Sequence, residues 1–156
     1  MGDQTSEVRI RPVEELDIED IAAIDEKIGG RYRPEVWEKR LFYYLRRDPE
    51  GSFVATAGGK VVGFMLGEMR AGEFGMEEPT GWVEVLGVDP GFQGRTVGRQ
   101  LASAMLDRFR AQGAHRVQTL VDDTRPQIEA FFAALGFHPA PVKALALELD
   151  ATKRGS

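Results

Sequence analysis

Apolar residues recur along this chain with two different periods, and the change of period marks where strands give way to helices. In the first half, the pattern predicts a short strand, two helices and a hairpin, at residues 8–11, 18–28, 34–45, 52–57 and 60–69. Gly29-Gly30 is a typical helix end, and Pro34 is a typical first residue of a helix. Gly58-Gly59 separates two apolar runs, which predicts a tight turn between paired strands.

The second half alternates between predicted strands and predicted helices. The strands lie at 82–88, 115–121 and 144–149, and the helices lie at 97–112 and 126–136. The complete order is β-α-α-β-β-β-α-β-α-β. This order predicts an α/β or α+β sandwich, in which helices cover the faces of a mixed sheet. A length of 156 residues indicates a single domain over residues 1–156.

The junction between the fourth predicted strand and the helix after it carries the clearest chemical signal. The apolar run stops at Asp89-Pro90-Gly91, and a turn rich in glycine and arginine leads into the helix. The first N–H groups of a helix have no intrahelical acceptor, and the helix dipole adds positive potential there. Gly94 and Gly98 would let a ligand approach the backbone, while Arg95 and Arg99 supply positive charge. We therefore expect this junction to bind a diphosphate.

Two common nucleotide-binding motifs do not occur in the sequence. The dinucleotide-binding pattern G-x-G-x-x-G is absent. The phosphate-loop pattern requires Ser or Thr after Gly-Lys, whereas Gly59-Lys60 is followed by Val61. The predicted diphosphate site therefore belongs to neither of these classes.

Composition and charge exclude several classes of protein. A net charge of −5 argues against a general nucleic-acid binder and is compatible with a cationic substrate such as an amine. The lack of cysteine excludes disulfides, thiolate metal ligands and a cysteine nucleophile. His115 and His138 have no carboxylate spacing typical of a metal site, so we expect no metal. No apolar run reaches membrane-spanning length and the first residues lack a signal-peptide core, so we expect a cytoplasmic protein with no membrane partner.

Residues 86–98 resemble the cofactor motif of the Gcn5-related N-acetyltransferase (GNAT) superfamily. Gln93-Gly94-Arg95-Thr96-Val97-Gly98 aligns with the pattern Q/R-x-x-G-x-G/A, and residues 86–90 match its hydrophobic-Val-Asp-Pro lead-in. Residues 125–137 are similar to a second signature of the family, N-x-x-A-x-x-x-Y-x-x-x-G-F. The resemblance covers about residues 8–149 and implies the GNAT fold. That fold has a central mixed, mostly antiparallel sheet flanked by about four helices.

The same resemblance implies that the cofactor is acetyl-coenzyme A (acetyl-CoA). In the family, the strand before the motif pairs through its backbone with the pantetheine arm, and the loop wraps the pyrophosphate. In the family, residues of the second signature also lie beside the cofactor. The residues assigned to cofactor binding in this way are Leu86, Gly87, Val88, Gln93, Gly94, Arg95, Thr96, Val97, Gly98, Arg99, Arg125 and Phe132.

Glu84 is the candidate general base. It interrupts the apolar strand at residues 82–86, and burial makes a carboxylate a stronger base. In many members of the family, a glutamate at this strand position is assigned as the base, directly or through a water. A solvated position at the sheet edge, or an ion pair with an arginine, is the alternative interpretation of Glu84.

Three residues depart from the family pattern. Thr96 replaces a glycine, and a β-branched residue resists positive φ, so either φ is negative there or cofactor binding is weakened. Arg125 replaces an asparagine and could reach a coenzyme phosphate. Phe132 replaces a tyrosine whose phenol commonly protonates the leaving thiolate, which phenylalanine cannot do. The tyrosines that border the acceptor site in the family, and that could substitute for it, are Tyr32, Tyr43 and Tyr44.

These features predict an enzyme, an N-acetyltransferase that acts on a primary amine of a small molecule or a protein. With no cysteine and no serine in a nucleophile-elbow pattern, we expect direct attack by the amine in a ternary complex. The alternative is a catalytically weak acetyl-CoA-binding sensor or regulatory module, and a non-enzymatic scaffold is a third possibility. The resemblance is also compatible with a homodimer. It implies an acceptor site beside residues 29–37 and 71–80. The arginines of these segments would repel a cation, and the glutamates would attract one.

Overall fold

The computed structural model describes residues 7–71, 78–94 and 96–150, and a twisted five-stranded sheet runs through their centre. Its strands are β1 (Val8–Pro12), β2 (Phe53–Ala57), β3 (Lys60–Arg70), β4 (Thr80–Val88) and β5 (Arg116–Thr119). They lie in the order β1-β2-β3-β4-β5. Each neighbouring pair is antiparallel except β4 and β5, which are parallel. The prediction of a mixed, mostly antiparallel sheet is confirmed.

Four α-helices lie within the described residues, and each begins within one residue of its predicted start. They are α1 (Ile18–Gly29), α2 (Pro34–Arg47), α3 (Val97–Ala111) and α4 (Pro126–Ala134). Helix α1 ends where Gly30 takes a left-handed conformation with φ of 87°, and Pro34 is the first residue of α2. The start and stop signals in the sequence thus mark these boundaries correctly.

The helices bury both faces of the sheet. Helices α1 and α2 pack with Val54, Phe64 and Leu66 in one apolar cluster. Helix α3 and part of α4 pack with Met65 and other residues of the opposite face in a second cluster. Because β3 lies between both clusters, every residue from 61 to 68 is buried, which explains its almost continuous apolar run.

The predicted last strand at 144–149 is wrong. Residues 138–150 form no helix or strand, and Leu145, Leu147 and Leu149 are 89%, 81% and 85% exposed. Alternating leucines satisfy the pattern of a strand, but a strand also needs a neighbouring backbone edge to accept its hydrogen bonds. This segment pairs with no such edge among the residues that the structure describes.

No helix in the described ranges is both long enough and apolar enough to cross a lipid bilayer.

Candidate active site

Strand β4 contains a bulge at Glu84. Leu66 of β3 lies opposite Val85 and Gly67 lies opposite Val83, so Glu84 has no residue opposite it. Gly67 is required for this close approach, because a Cβ there would lie 2.2 Å from the carbonyl oxygen of Trp82. An extra residue in one strand bends that strand and changes the direction of its side chain. The bulge therefore directs Glu84 toward helix α2.

Both carboxylate oxygens of Glu84 are engaged. The phenol of Tyr44 on α2 donates to Oε1, and the Arg70 guanidinium at the end of β3 donates to Oε2. The Glu84 side chain is 21% exposed. The carboxylate is thus partly buried and ion-paired with an arginine at the same time, which combines the two sequence-based interpretations of this residue.

The three tyrosines considered as proton donors all donate to carboxylates. Tyr32 donates to Glu19, and Tyr43 donates to Glu68 over 2.7 Å. Burial, followed by the hydrogen bond to Glu84, raises the pKa of the Tyr44 phenol well above its usual value. Tyr44 therefore keeps its proton at neutral pH. This arrangement favours a role for Tyr44 in orienting Glu84, rather than a role as the acid that protonates a thiolate.

A second carboxylate, Glu68, lies beside Glu84 and was missed by the sequence analysis. Glu68 lies opposite Trp82 in the β3–β4 ladder and is 6% exposed. It pairs with Arg47 over 2.9 Å and with Arg70 over 3.3 Å. The available signal was a charged residue inside the apolar run of β3, the same signal that identified Glu84 in β4.

Strands β4 and β5 separate at the bulge. They pair only over Thr80–Val83 of β4, and the hydroxyl of Thr119 donates to the carbonyl oxygen of Val83 over 2.8 Å. Beyond the bulge, residues 85–88 of β4 pair with β3 alone within the described chain. Leu86, Gly87 and Val88 thus lie along a strand edge that can pair with an extended ligand, where the Val88 carbonyl accepts from the side-chain amide of Gln93 over 3.4 Å.

Asp89 holds the loop after β4 against helix α1. Its carboxylate accepts hydrogen bonds from the Gly91 N–H and from Lys27 at the end of α1, both over 2.8 Å. Burial acts to raise the pKa of Asp89, but these two hydrogen bonds outweigh it and hold the pKa below its usual value. A charged Asp89 therefore anchors the loop on one side of the predicted diphosphate site.

The loop reaches α3 through residues in the left-handed region. Gly94 has a φ of 81° and Thr96, the N-cap of α3, has a φ of 65°. Left-handed residues next to a helix start are typical of loops whose N–H groups bind anions. Gln93 and Arg99 are exposed on either side of this turn, whereas Arg95 lies outside the described residues. Of the two alternatives for Thr96, a negative φ is therefore wrong, and weakened cofactor binding stays a prediction.

The remaining predicted cofactor residues lie in the core or at a helix start. Val97 is buried, and a Cβ on Gly98 would lie 3.0 Å from the Phe131 ring of α4. Arg125 is the exposed N-cap of α4. Phe132 is 5% exposed and packs edge-to-face against Phe131 and Phe137. Val97 and Gly98 can therefore offer only backbone groups to a ligand, and Phe132 serves as a core residue.

Residues 17–137 match the model of the Acetyltransferase (GNAT) family. A mycothiol acetyltransferase from Thermobispora bispora is 37% identical over 90 residues, which are 58% of this chain and 30% of that protein. The chain thus spans about a third of the length of the curated relatives that it matches.

Solved structures share the fold over most of the chain. An aminoglycoside N-acetyltransferase in complex with CoA superimposes with a TM-score of 0.78 at 20% identity, covering 92% of this chain and 96% of that one. Ard1 from Thermoplasma volcanium superimposes with a TM-score of 0.70 at 26% identity, covering 84% of this chain and 82% of that one. At 20% identity, the similarity to the aminoglycoside N-acetyltransferase is a similarity of fold alone.

Proposed function

This chain belongs to the GNAT acetyltransferase family, and from that premise we propose that it transfers an acetyl group from acetyl-CoA to a primary amine. The observation that carries the proposal is the position of Glu84. This carboxylate lies at a bulge of β4, is held by Tyr44, and adjoins a strand edge that pairs with β3 alone in the described chain. Acyl transfer to an amine requires a base close to the acyl donor. Glu84 meets this requirement if the amide-containing arm of the donor pairs with the edge of β4.

Three features of the described residues fit acetyl-CoA. The edge of β4 at residues 84–88 can form backbone hydrogen bonds to the amides of a pantetheine arm. The turn with Gly94 and Thr96 leads into the first N–H groups of α3, which suit a diphosphate. Arg99 adds positive charge on the first turn of α3. When bound there, acetyl-CoA supplies an acetyl group already activated as a thioester.

In the proposed mechanism, Glu84 accepts a proton from the ammonium of the acceptor, directly or through a water. The neutral amine then attacks the thioester carbonyl, so that the new C–N bond forms and the C–S bond breaks with its electron pair on the departing thiolate. The nitrogen loses its second proton, which passes through water to that thiolate. A backbone N–H of β4 at or near Leu86 stabilises the negative charge on the carbonyl oxygen. Tyr44 keeps the carboxylate of Glu84 oriented throughout.

A second candidate function is an acetyl-CoA sensor or regulatory module. Two observations favour it: the positive φ of Thr96 in the cofactor loop, and Phe132 in place of the usual tyrosine. A sensor would bind the cofactor and release it unchanged. An enzyme would release free thiol when an amine is present.

The test combines calorimetric titration with acetyl-CoA and a thiol-release assay with a panel of primary amines. We expect micromolar binding and turnover with at least one amine. Glu84→Gln should lower kcat by about 100-fold or more, the range for loss of a general base, and leave acetyl-CoA affinity unchanged. Glu129→Gln, on the exposed surface of α4, is the matched control. Binding without turnover would favour the sensor, and no binding at millimolar acetyl-CoA would overturn both functions.

A further inference from the structure

Arg70 lies at the centre of the carboxylate pair formed by Glu68 and Glu84. Its Nε donates to Glu68 over 3.3 Å, and its Nη2 donates to Glu84. The carbon of its guanidinium lies 4.9 Å from the centre of the Trp82 ring. Two carboxylates and an aromatic face form the environment that proteins use to bind cationic ligands. In this structure, a side chain of the protein itself occupies that environment.

Both oxygens of Glu84 already accept hydrogen bonds from protein donors, so an acceptor ammonium must compete with these donors for the carboxylate. The ammonium takes the place of whichever protein donor is released more easily. Tyr44 is buried among the apolar residues between α2 and the sheet, so its release would open the core. The Arg70 side chain is 45% exposed, at the outer end of β3. Arg70 is therefore the donor that can move away at low cost.

The charge balance of the cluster also favours Arg70 as the donor that moves away. Glu68 keeps two other donors when Arg70 leaves, because Tyr43 and Arg47 contact it over 2.7 Å and 2.9 Å. Glu84 keeps the neutral phenol of Tyr44 but loses its only cationic contact in the described chain. The cluster then carries one uncompensated negative charge, at Glu84. A single positive charge on the acceptor restores neutrality.

We propose that Arg70 determines acceptor specificity by occupying the position of the acceptor's cation between Glu84 and Trp82. The acceptor class is a primary amine that is protonated in solution and carries an apolar or planar group able to pack against the indole. Arg70 competes with this amine and is displaced when the amine binds. This inference rests on the proposed acetyl transfer and on Glu84 as its base.

The test uses Arg70→Met, which keeps an apolar stem and removes the guanidinium, with Arg47→Met as the matched control. Both variants remove a cation from Glu68, and only the first removes one from Glu84. With saturating acetyl-CoA, Arg70→Met should lower KM for primary amines by about three- to ten-fold, as expected for loss of a partly exposed competing cation. Arg47→Met should leave KM unchanged, and Arg70→Lys, which restores a cation, should return KM toward the original value. An unchanged or higher KM in Arg70→Met would overturn the proposal.

A binding measurement separates failure of this proposal from failure of the proposed function. Millimolar guanidinium chloride is titrated into each variant, and the indole N–H signal of Trp82, assigned by comparison with Trp82→Phe, is followed by NMR. Guanidinium should shift the signal at lower concentration in Arg70→Met than in the unmodified protein or in Arg47→Met. This result is expected even if no amine is acetylated, in which case only the proposed function fails. Equal titrations in all three proteins would overturn the role of Arg70.

Discussion

The phenol of Tyr44 on α2 donates a hydrogen bond to the carboxylate of Glu84 on β4, across 40 positions of sequence. The contact depends on the bulge. In a strand without it, Glu84 would lie opposite a residue of β3, and its side chain would follow the regular alternation between the two faces of the sheet. A buried donor with a raised pKa thereby holds the candidate base. Substitutions at this site and in the neighbouring loop should change activity, cofactor binding and stability in ways that can be measured.

Tyr44→Phe should lower kcat by about ten-fold or more, since a hydrogen bond to a charged group contributes about 1.5–3 kcal/mol. Acetyl-CoA affinity should not change, because Tyr44 is buried on the α2 face of the sheet. Steady-state kinetics and calorimetry measure the two quantities. The matched control is Tyr43→Phe, which removes the neighbouring phenol from Glu68 instead. Equal losses of kcat in both variants would contradict an orienting role specific to Tyr44.

Arg99→Glu should weaken acetyl-CoA binding by about ten-fold at low salt, because it replaces a positive charge with a negative one on the first turn of α3. The loss should shrink in 0.5 M salt, where the Debye length falls to about 4 Å. Arg110→Glu makes the same change near the other end of α3, at a residue that pairs with the exposed Asp107. If Arg110→Glu weakens binding as much, the effect reflects overall charge rather than the loop.

Thr96→Gly should be more stable than Thr96→Ala by about 1 kcal/mol. A non-glycine residue with positive φ costs about 1–2 kcal/mol, partly offset by the greater freedom of glycine in the unfolded chain. Alanine retains the unfavourable φ of 65° and lacks the hydroxyl that accepts from Gln100, so it isolates the backbone effect. Denaturant unfolding of both variants gives the difference. Equal stabilities would mean that Thr96 is not strained.

Asp89→Asn should lower the free energy of unfolding at neutral pH by about 1–2 kcal/mol, as expected when a largely buried carboxylate loses the charge that pairs with Lys27. The pKa of Asp89 is lower in the folded protein than its usual value. Its stabilising effect is therefore complete above the unfolded pKa and is lost as the pH falls through the folded pKa. Unfolding curves at pH 7 and at about pH 2.5 should show a difference that shrinks at acid pH.

Asp107→Asn is the control for that pH series, because its side chain is exposed and pairs with the equally exposed Arg110. Surface pairs of this kind contribute little to stability, so the variant should stay within about 0.5 kcal/mol of the original protein at both pH values. A pH dependence in Asp107→Asn as large as that in Asp89→Asn would show that the acid effect is not local to Asp89.

Local signals account for the elements that the sequence predicted well. Helix ends such as Gly30 and helix starts such as Pro34 depend on φ preferences of single residues. The turn at Gly58-Gly59 likewise depends on positive φ at both residues. The apolar periods of α1, α2 and α3 are those of one helix face packed on a sheet. None of these features requires knowledge of a distant partner.

The role of a charged residue inside an apolar strand could not be predicted to the same depth. Glu84 was identified because it interrupts β4, yet Glu68 interrupts β3 in the same way and was missed. Arg70 could not be identified, since a charged residue at a strand end is common on any protein surface. Only the β3–β4 register brings Glu68, Arg70 and Glu84 into one cluster.

The sequence by itself determined the order of helices and strands from β1 to α4 and the position of the glycine-bearing loop before α3, because these depend on residues a few positions apart. Tertiary structure decided which side chains meet at Glu84, the positive φ of Thr96 and the failure of residues 144–149 to form a strand. The physical reason is that a strand or a bulge exists only with a partner strand in a given register. That register depends on packing across the whole sheet rather than on neighbouring residues.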